Sequence, residues 1–211
     1  MFSKRYLLLF FLMIIFSCQL FAQLGIKAGV NMATEIRSLK QEDIEAGFSP
    51  ENLNGFHIGL VYQSTFAETR WSTEIGALLS QKGSFFSYKE IDIMTAYNEL
   101  NYAEVPINIR YTLSLGALGI YGSAGVYAGY LFEGKTVNET KEEILYMKFS
   151  ELVDKLDYGY SLGAGVELLD KIQLGVTWTR GIKTNPINIQ APNAMPNSKN
   201  NTFSIGLVYL F

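Results

Sequence analysis

The chain has 211 residues, with 17 Lys and Arg against 20 Asp and Glu, a net charge of −3, and a single cysteine. That balance is not basic enough for a nucleic-acid surface, which needs a cationic excess to neutralise phosphates. The 19 Gly, 13 Tyr and 14 Phe, beside only 18% charged residues, are unusual for a soluble domain.

Taken from the start, Lys4 and Arg5 precede an unbroken apolar run from Tyr6 to Phe16, and Leu20-Phe21-Ala22 offers a small residue before a cut ahead of Gln23. These features predict a signal peptide over residues 1–22 and a single domain over 23–211. The run of about eleven residues is shorter than the roughly 20 that a helical span requires. Cys18 sits in a loose lipoprotein-like context, but the Ala22 site fits a strand start better. Cleavage there leaves 15 basic residues against 20 acidic ones, a net charge near −5, and no cysteine.

Alternation with period two then recurs eight times. Leu24, Ile26, Ala28, Val30 and Met32 oppose Gly25, Lys27, Gly29 and Asn31. Phe56, Ile58, Leu60 and Tyr62 oppose His57, Gly59, Val61 and Gln63. Trp71, Thr73, Ile75, Ala77 and Leu79 oppose Ser72, Glu74, Gly76, Leu78, Ser80 and Lys82. Ala103, Val105, Ile107, Ile109 and Tyr111 oppose Tyr102, Glu104, Pro106, Asn108 and Arg110. The fifth run, 120–131, is rich in Gly and Tyr on both faces, so its parity is ambiguous. Tyr158 to Leu168, Ile172 to Trp178 and Phe203 to Phe211 alternate clearly again.

The connections alternate too: about 21 residues (33–53), 5 (65–69), 15 (84–98), 5 (114–118), 24 (133–156), 3 (169–171) and 20 (182–201). Short periplasmic turns and long extracellular loops on an even number of strands are the signature of a bacterial outer-membrane barrel. Side-chain size sets the faces. An eight-stranded lumen only just holds side chains, so the small and polar face points in and the large apolar face meets lipid. A lipocalin-like soluble barrel would reverse this, and the usual Gly-x-Trp start of that class is missing.

On the inner face, Lys27, Lys82 and Arg110 stand against Glu74, Glu104 and Glu167. Three against three predicts a neutral, paired plug, because buried charges must be matched, with Glu74 and Arg110 close enough to pair. Pro106 removes a ladder donor in a fold without edges, so the strand must bulge there or a carbonyl must find another partner. His57 is the lone histidine; Ser72 and Glu74 on the adjacent strand give it the residue types of an acyl-transfer triad. With no second histidine, no metal-ligand set is expected. Leu145, Phe149, Leu152 and Leu156 recur at helical spacing and predict an amphipathic helix that caps the mouth or docks a partner. Phe203, Ile205, Leu207, Tyr209 and the closing Phe211 step by twos, in the manner of the signal that barrels present to the assembly machinery.

Tyr102-Ala103-Glu104-Val105-Pro106-Ile107-Asn108-Ile109-Arg110-Tyr111 resembles the Tyr-x-Glu-(Ile/Val)-Pro segment of the PorT-like outer-membrane β-barrel family of Bacteroidota. Gly25-Ile26-Lys27-Ala28-Gly29-Val30-Asn31 is similar to that family's opening strand, and Asp157 to Glu167 to its Gly-rich sixth strand. The resemblance implies the barrel fold and the outer membrane. Through one namesake it implies a link to a secretion system, and it carries no catalytic residues.

The expectation is therefore an eight-stranded antiparallel up-and-down transmembrane β-barrel in the cell outer membrane. It is read as non-enzymatic, without cofactors, and as structural or partner-binding through its extracellular loops. The partners expected are outer-membrane lipids, the barrel-assembly machinery and an envelope protein. A lipid-modifying enzyme using His57 and a narrow pore are the alternatives.

Overall fold

The computed structural model describes residues 22–37, 48–67, 69–88, 95–139, 144–148, 155–183 and 198–211. Residues 1–21 fall outside them, and so does the expected signal peptide apart from Ala22, where the first strand begins. The strands are β1 Ala22–Arg37, β2 Phe48–Thr65, β3 Trp71–Tyr88, β4 Thr95–Leu115, β5 Leu118–Glu139, β6 Ile144–Lys148, β7 Leu156–Leu168, β8 Ile172–Gly181 and β9 Ser198–Leu210. Eight of them pair in the circular order β4-β3-β2-β1-β9-β8-β7-β5, and β4 with β5 closes the ring. Every pairing is antiparallel. Closure leaves no stave with an unpaired edge, as the fold must in a solvent that cannot hydrogen-bond to backbone.

The two faces follow the alternation. Leu24, Ile26, Ile58, Leu60, Ile75, Val105, Ile107, Ile120, Leu162, Leu174 and Leu207 are exposed on the outer wall. This aliphatic belt is bounded at the short-turn end by Tyr62, Trp71, Tyr209 and Phe211, and at the long-loop end by Phe56, Tyr130, Phe132, Tyr158, Tyr160 and Phe203, all exposed as well. Two aromatic girdles around an aliphatic belt are how a barrel meets a bilayer. Phe203, Ile205, Leu207, Tyr209 and Phe211 all lie on this lipid face.

The turns at the short-turn end are tight. Leu169 and Asp170 both adopt φ of 55°, and Lys171 N–H donates to the Leu168 carbonyl at 3.1 Å. Together these define a type I′ hairpin, whose twist matches that of the flanking strands. The long connections are shorter than their sequence suggests, because β2 to β5 run on as strands of 18, 18, 21 and 22 residues. About 9–11 tilted residues suffice to cross a bilayer.

The predicted helix is not formed where the stripe begins. Ile144–Lys148 is strand β6, paired with the protruding end of β5 through Asn138 opposite Leu145. β-Branched and aromatic residues beside an unsatisfied strand edge favour a ladder over an isolated short helix. Leu156 opens β7 and is exposed on its outer face; Phe149 and Leu152 lie outside the described residues.

At Pro106 the β3–β4 ladder keeps one register but is interrupted between Ile75–Ile107 and Leu78–Glu104. The strand does not bulge there. Gly76 faces the ring instead, and a Cβ on it would sit 3.0 Å from Pro106 Cγ.

The ambiguous fifth run also resolves: Val126 and Tyr130 point out, whereas Tyr127 is buried within and Tyr121 lines the lumen cavity. Glycines opposite make the room. A Cβ on Gly175 would lie 2.2 Å from the Tyr121 hydroxyl, and one on Gly165 2.5 Å from it. Gly175→Ala should therefore destabilise the barrel by about 1–3 kcal/mol through overpacking. Adding Tyr121→Phe, which deletes the atom in conflict, should recover at least half of that loss in thermal unfolding in detergent. No recovery would mean that the Gly175 site is not filled by the tyrosine.

Candidate functional site

Among the described residues the buried charges lie in the lumen, in two layers. The lower layer, nearer the short turns, is centred on Arg110, of which 1% is exposed. Its guanidinium donates to Gln63 Oε1 at 2.7 Å, Gln173 Oε1 at 2.6 Å and Glu167 Oε2 at 3.2 Å. It also lies 3.6 Å from Glu74 Oε2 and stacks on the Tyr121 ring at 3.8 Å. Glu74 accepts a second cation, Lys27 Nζ, at 3.0 Å. Gln173 Nε2 ties Gln63 to Glu167 at 2.9 and 2.8 Å. Five strands thus meet on one guanidinium, whose planar fork suits several acceptors at once.

The upper layer is centred on Lys82, which is ion-paired with Glu104 and lies 4.0 Å from Asp157 Oδ2. The ammonium sits 4.4 Å from the Tyr127 ring and 5.5 Å from that of Tyr102. Asp157 accepts from Tyr127 Oη at 3.1 Å and from Asn200 Nδ2 at 2.8 Å. Asn98 donates to Glu35 at 3.2 Å in the same region.

Between the layers lies a cavity of about 70 Å³ lined by Asn31, His57, Ser80, Asn108, Thr177 and Ser204 among others. At roughly 10–15 Å³ of such space per water, it holds a handful of waters and is no channel. Asn31 Nδ2 donates to the Phe56 and Gln81 carbonyls at 3.0 and 2.9 Å, which fixes the orientation of its amide. Its Oδ1 then accepts from Ser204 and from His57 Nδ1, each at 2.8 Å. The neutral imidazole therefore carries its proton on Nδ1 and keeps Nε2 as an acceptor.

All six predicted lumen charges lie inside: Lys27, Glu74, Arg110 and Glu167 in the lower layer, Lys82 and Glu104 in the upper. The expected Glu74–Arg110 pair is present. The expected neutrality is not, because Glu35 and Asp157 are also buried, each 1% exposed. Three cations therefore face five carboxylates among the described residues. Strand parity could have found both, since Glu35 is in step with Lys27 and Asn31, and Asp157 with Gly159 and Ser161. Nor is the lumen wholly polar: Val61, Leu78, Val208 and Leu210 pack together inside it.

The triad is not assembled. His57 lies opposite Ser80, whereas Glu74 lies opposite Gln63 and Ser72 opposite Thr65. Six residues of strand separate the His57 and Glu74 levels, roughly 20 Å. Among the described residues no group of three or more His, Cys, Asp and Glu is placed to hold a metal ion.

A closed eight-stranded barrel, lipid-facing outside and plugged by ion pairs inside, defines an integral outer-membrane protein. The chain belongs to the outer membrane protein beta-barrel domain family, whose sequence profile matches residues 17–185. No curated protein matches it significantly in sequence. Among solved structures, it is similar to the outer membrane protein OprG of Pseudomonas aeruginosa, at 15% identity and a TM-score of 0.48, covering 90% of this chain and 96% of that one. It is also similar to Ail of Yersinia pestis, a structure in complex with the heparin analogue sucrose octasulfate (14%, TM-score 0.42, covering 90% and 99%). A third is the outer membrane enzyme PagL, at 10% identity and a TM-score of 0.44, covering 88% and 98%.

The layers make a quantitative prediction. Arg110→Met should cost about 3–5 kcal/mol, because it strands Glu74 and Glu167 in the lumen. Glu74→Gln combined with Arg110→Met should cost less than the sum of the two by about 0.5–3 kcal/mol. Additive losses in denaturant unfolding from micelles would show that the two side chains do not interact.

Proposed function

We propose that this is a non-enzymatic outer-membrane scaffold that presents a protein-binding surface at its long-loop end. The observation that carries the reading is the raised wall of β2 to β5, roughly twice the length a crossing needs. On this wall the outward residues change from apolar to polar at Leu79/Gln81 and Ala103/Asn101, level across the β3–β4 ladder, and one step higher on β2 at Phe56/Asn54. Above that line Gln81 Nε2 donates to Glu99 at 2.7 Å, Lys135 pairs with Glu99 at 2.8 Å, and Asn101 donates to Glu133 at 3.3 Å. A hydrogen-bonded outer face that continues past the bilayer is a platform, and β6 widens it.

The plugged lumen argues against transport as the role, and the separation of His57 from Ser72 and Glu74 argues against an esterase built on that triad. Within the broader family we place the chain with the PorT-like barrels of Bacteroidota, on the Tyr102–Tyr111, Gly25–Asn31 and Asp157–Glu167 segments. That placement makes an envelope component, accessory to a secretion apparatus, the kind of partner expected.

The test trims the wall. Replacing residues 136–147 by a two-residue Asn-Gly turn removes β6 and the tip of β5 and leaves the crossing intact. The trimmed protein should reach the outer membrane and still migrate differently before and after boiling. A photo-crosslinker at Glu133 should give one specific protein adduct in the full-length protein and none in the trimmed one. An identical adduct in both would place the binding surface elsewhere, and no adduct in either would refute the proposal.

A further inference from the structure

The outward-facing charge at the long-loop end is not evenly spread. On the β3–β5 side the acids Glu99 and Glu133 are engaged by Gln81, Lys135 and Asn101. On the adjoining side, where β7 to β9 are 13, 10 and 13 residues long, the rim carries Lys155, Arg180, Lys183 and Lys199, with Glu133 of the neighbouring β5 beside Lys155. None of the described outward-facing residues of β7, β8 or β9 at this height is acidic; Asp157 points inward and is buried.

Register brings these four cations together. Arg180 lies opposite both Tyr160 and Asn201, which puts Lys199 two residues further up the neighbouring strand. Lys183 follows directly on β8, where Ile182 N–H donates to the Tyr158 carbonyl at 2.9 Å. Lys155 immediately precedes β7, and its carbonyl accepts from Leu131 N–H at 2.7 Å. Strands about 4.8 Å apart, with about 3.3 Å per residue, place Lys199 and Lys183 roughly 8–10 Å from Arg180 and Lys155 roughly 17 Å from it, measured between Cα atoms.

The patch sits on the upper aromatic girdle. Lys155 Nζ lies 5.9 Å from the ring of Tyr130, and Lys183 Nζ 6.0 Å from that of Tyr158. One step below Arg180, Trp178 Nε1 donates to Asn201 Oδ1 at 2.8 Å, and Tyr160 packs edge-on against Trp178 at 5.6 Å. Below those rings the wall is aliphatic. Such a column, aliphatic then aromatic then cationic, is complementary along its length to an amphiphile with acyl chains, an interfacial backbone and an anionic head. At this end of the barrel the leaflet is the outer one.

We infer that the β7–β9 rim, through Lys155, Arg180, Lys183 and Lys199, binds the phosphorylated headgroup of an outer-leaflet lipid whose acyl chains lie along Leu162, Val176 and Ile205. Each cation near an anionic lipid surface strengthens binding by about fivefold, so losing several together should reduce binding by well over tenfold.

The test uses the whole barrel folded in neutral detergent, with synthetic bisphosphorylated lipid A and its dephosphorylated form as probes, read by native mass spectrometry. The full-length protein should retain the phosphorylated lipid and not the dephosphorylated one. Lys155→Gln, Arg180→Gln, Lys183→Gln and Lys199→Gln combined should weaken retention at least tenfold while the gel shift between unboiled and boiled protein persists. Arg70→Gln, the same kind of change at the short-turn end of the barrel, should leave retention unchanged. If folding fails in the fourfold variant, the Arg180→Gln and Lys183→Gln pair carries the test, with a loss of about tenfold expected. Equal retention of both lipids, or equal loss from Arg70→Gln, would overturn the assignment. Displacement by inorganic phosphate at matched concentration would show that the site takes free phosphate and not a lipid.

Discussion

Every feature of this barrel descends from the need to satisfy backbone hydrogen bonds where water is absent. A strand in hydrocarbon cannot leave a donor or acceptor open, so β4 must return to β5 and the sheet must close. With eight staves, closure also fixes a lumen too narrow for bulk water and too large to stay empty. The interior must then be filled by side chains that satisfy one another. A cation placed there costs several kcal/mol in lost hydration unless partners surround it, which is why Arg110 touches Gln63, Glu74, Glu167 and Gln173 together. The same economy of space matches Tyr121 to Gly165 and Gly175, and Pro106 to Gly76.

The outer wall obeys the opposite demand. It must be apolar over the thickness of the bilayer and stop being so at the headgroups, and the switch from Phe56 to Asn54 or from Trp178 to Arg180 marks that line. Above it the barrel is lopsided. On one side β2 to β5 continue as a hydrogen-bonded wall, and along the described ends of β7 to β9 basic side chains stand at the headgroup level. The two sides meet different neighbours, a raised polar sheet suited to protein and a low cationic rim suited to lipid.

How much of this could be read in the residues depends on what period two can say. Alternation assigns a face, so Lys27, Glu74, Lys82, Glu104, Arg110 and Glu167 were legible as lumen residues, and Leu24, Ile26, Ala28 and Val30 as wall. It fails where both faces carry Gly and Tyr, as in residues 120–131, since there only packing against neighbouring glycines decides. Alternation also says nothing of height along the axis. His57, Ser72 and Glu74 share the inner face yet lie at different levels, because the β2–β3 register sets Ser80 opposite His57. The stripe of Leu145, Phe149, Leu152 and Leu156 shows the converse limit. A helical period over one short stretch did not prevail at Ile144–Lys148 against a strand edge already in place. Glu35 and Asp157 were within reach of the same parity argument, had the alternation been carried to the ends of their strands.

The central claim is that the Arg110 and Lys82 layers close the lumen while leaving a few waters between them. The measurement that bears on it most directly is ion conductance of the purified, heat-modifiable barrel in planar lipid bilayers. The full-length protein should leave the membrane at its baseline current, and Arg110→Ser with Lys82→Ser should produce small, discrete openings. Steady channel steps from the full-length protein, unchanged when both layers are removed, would contradict the account.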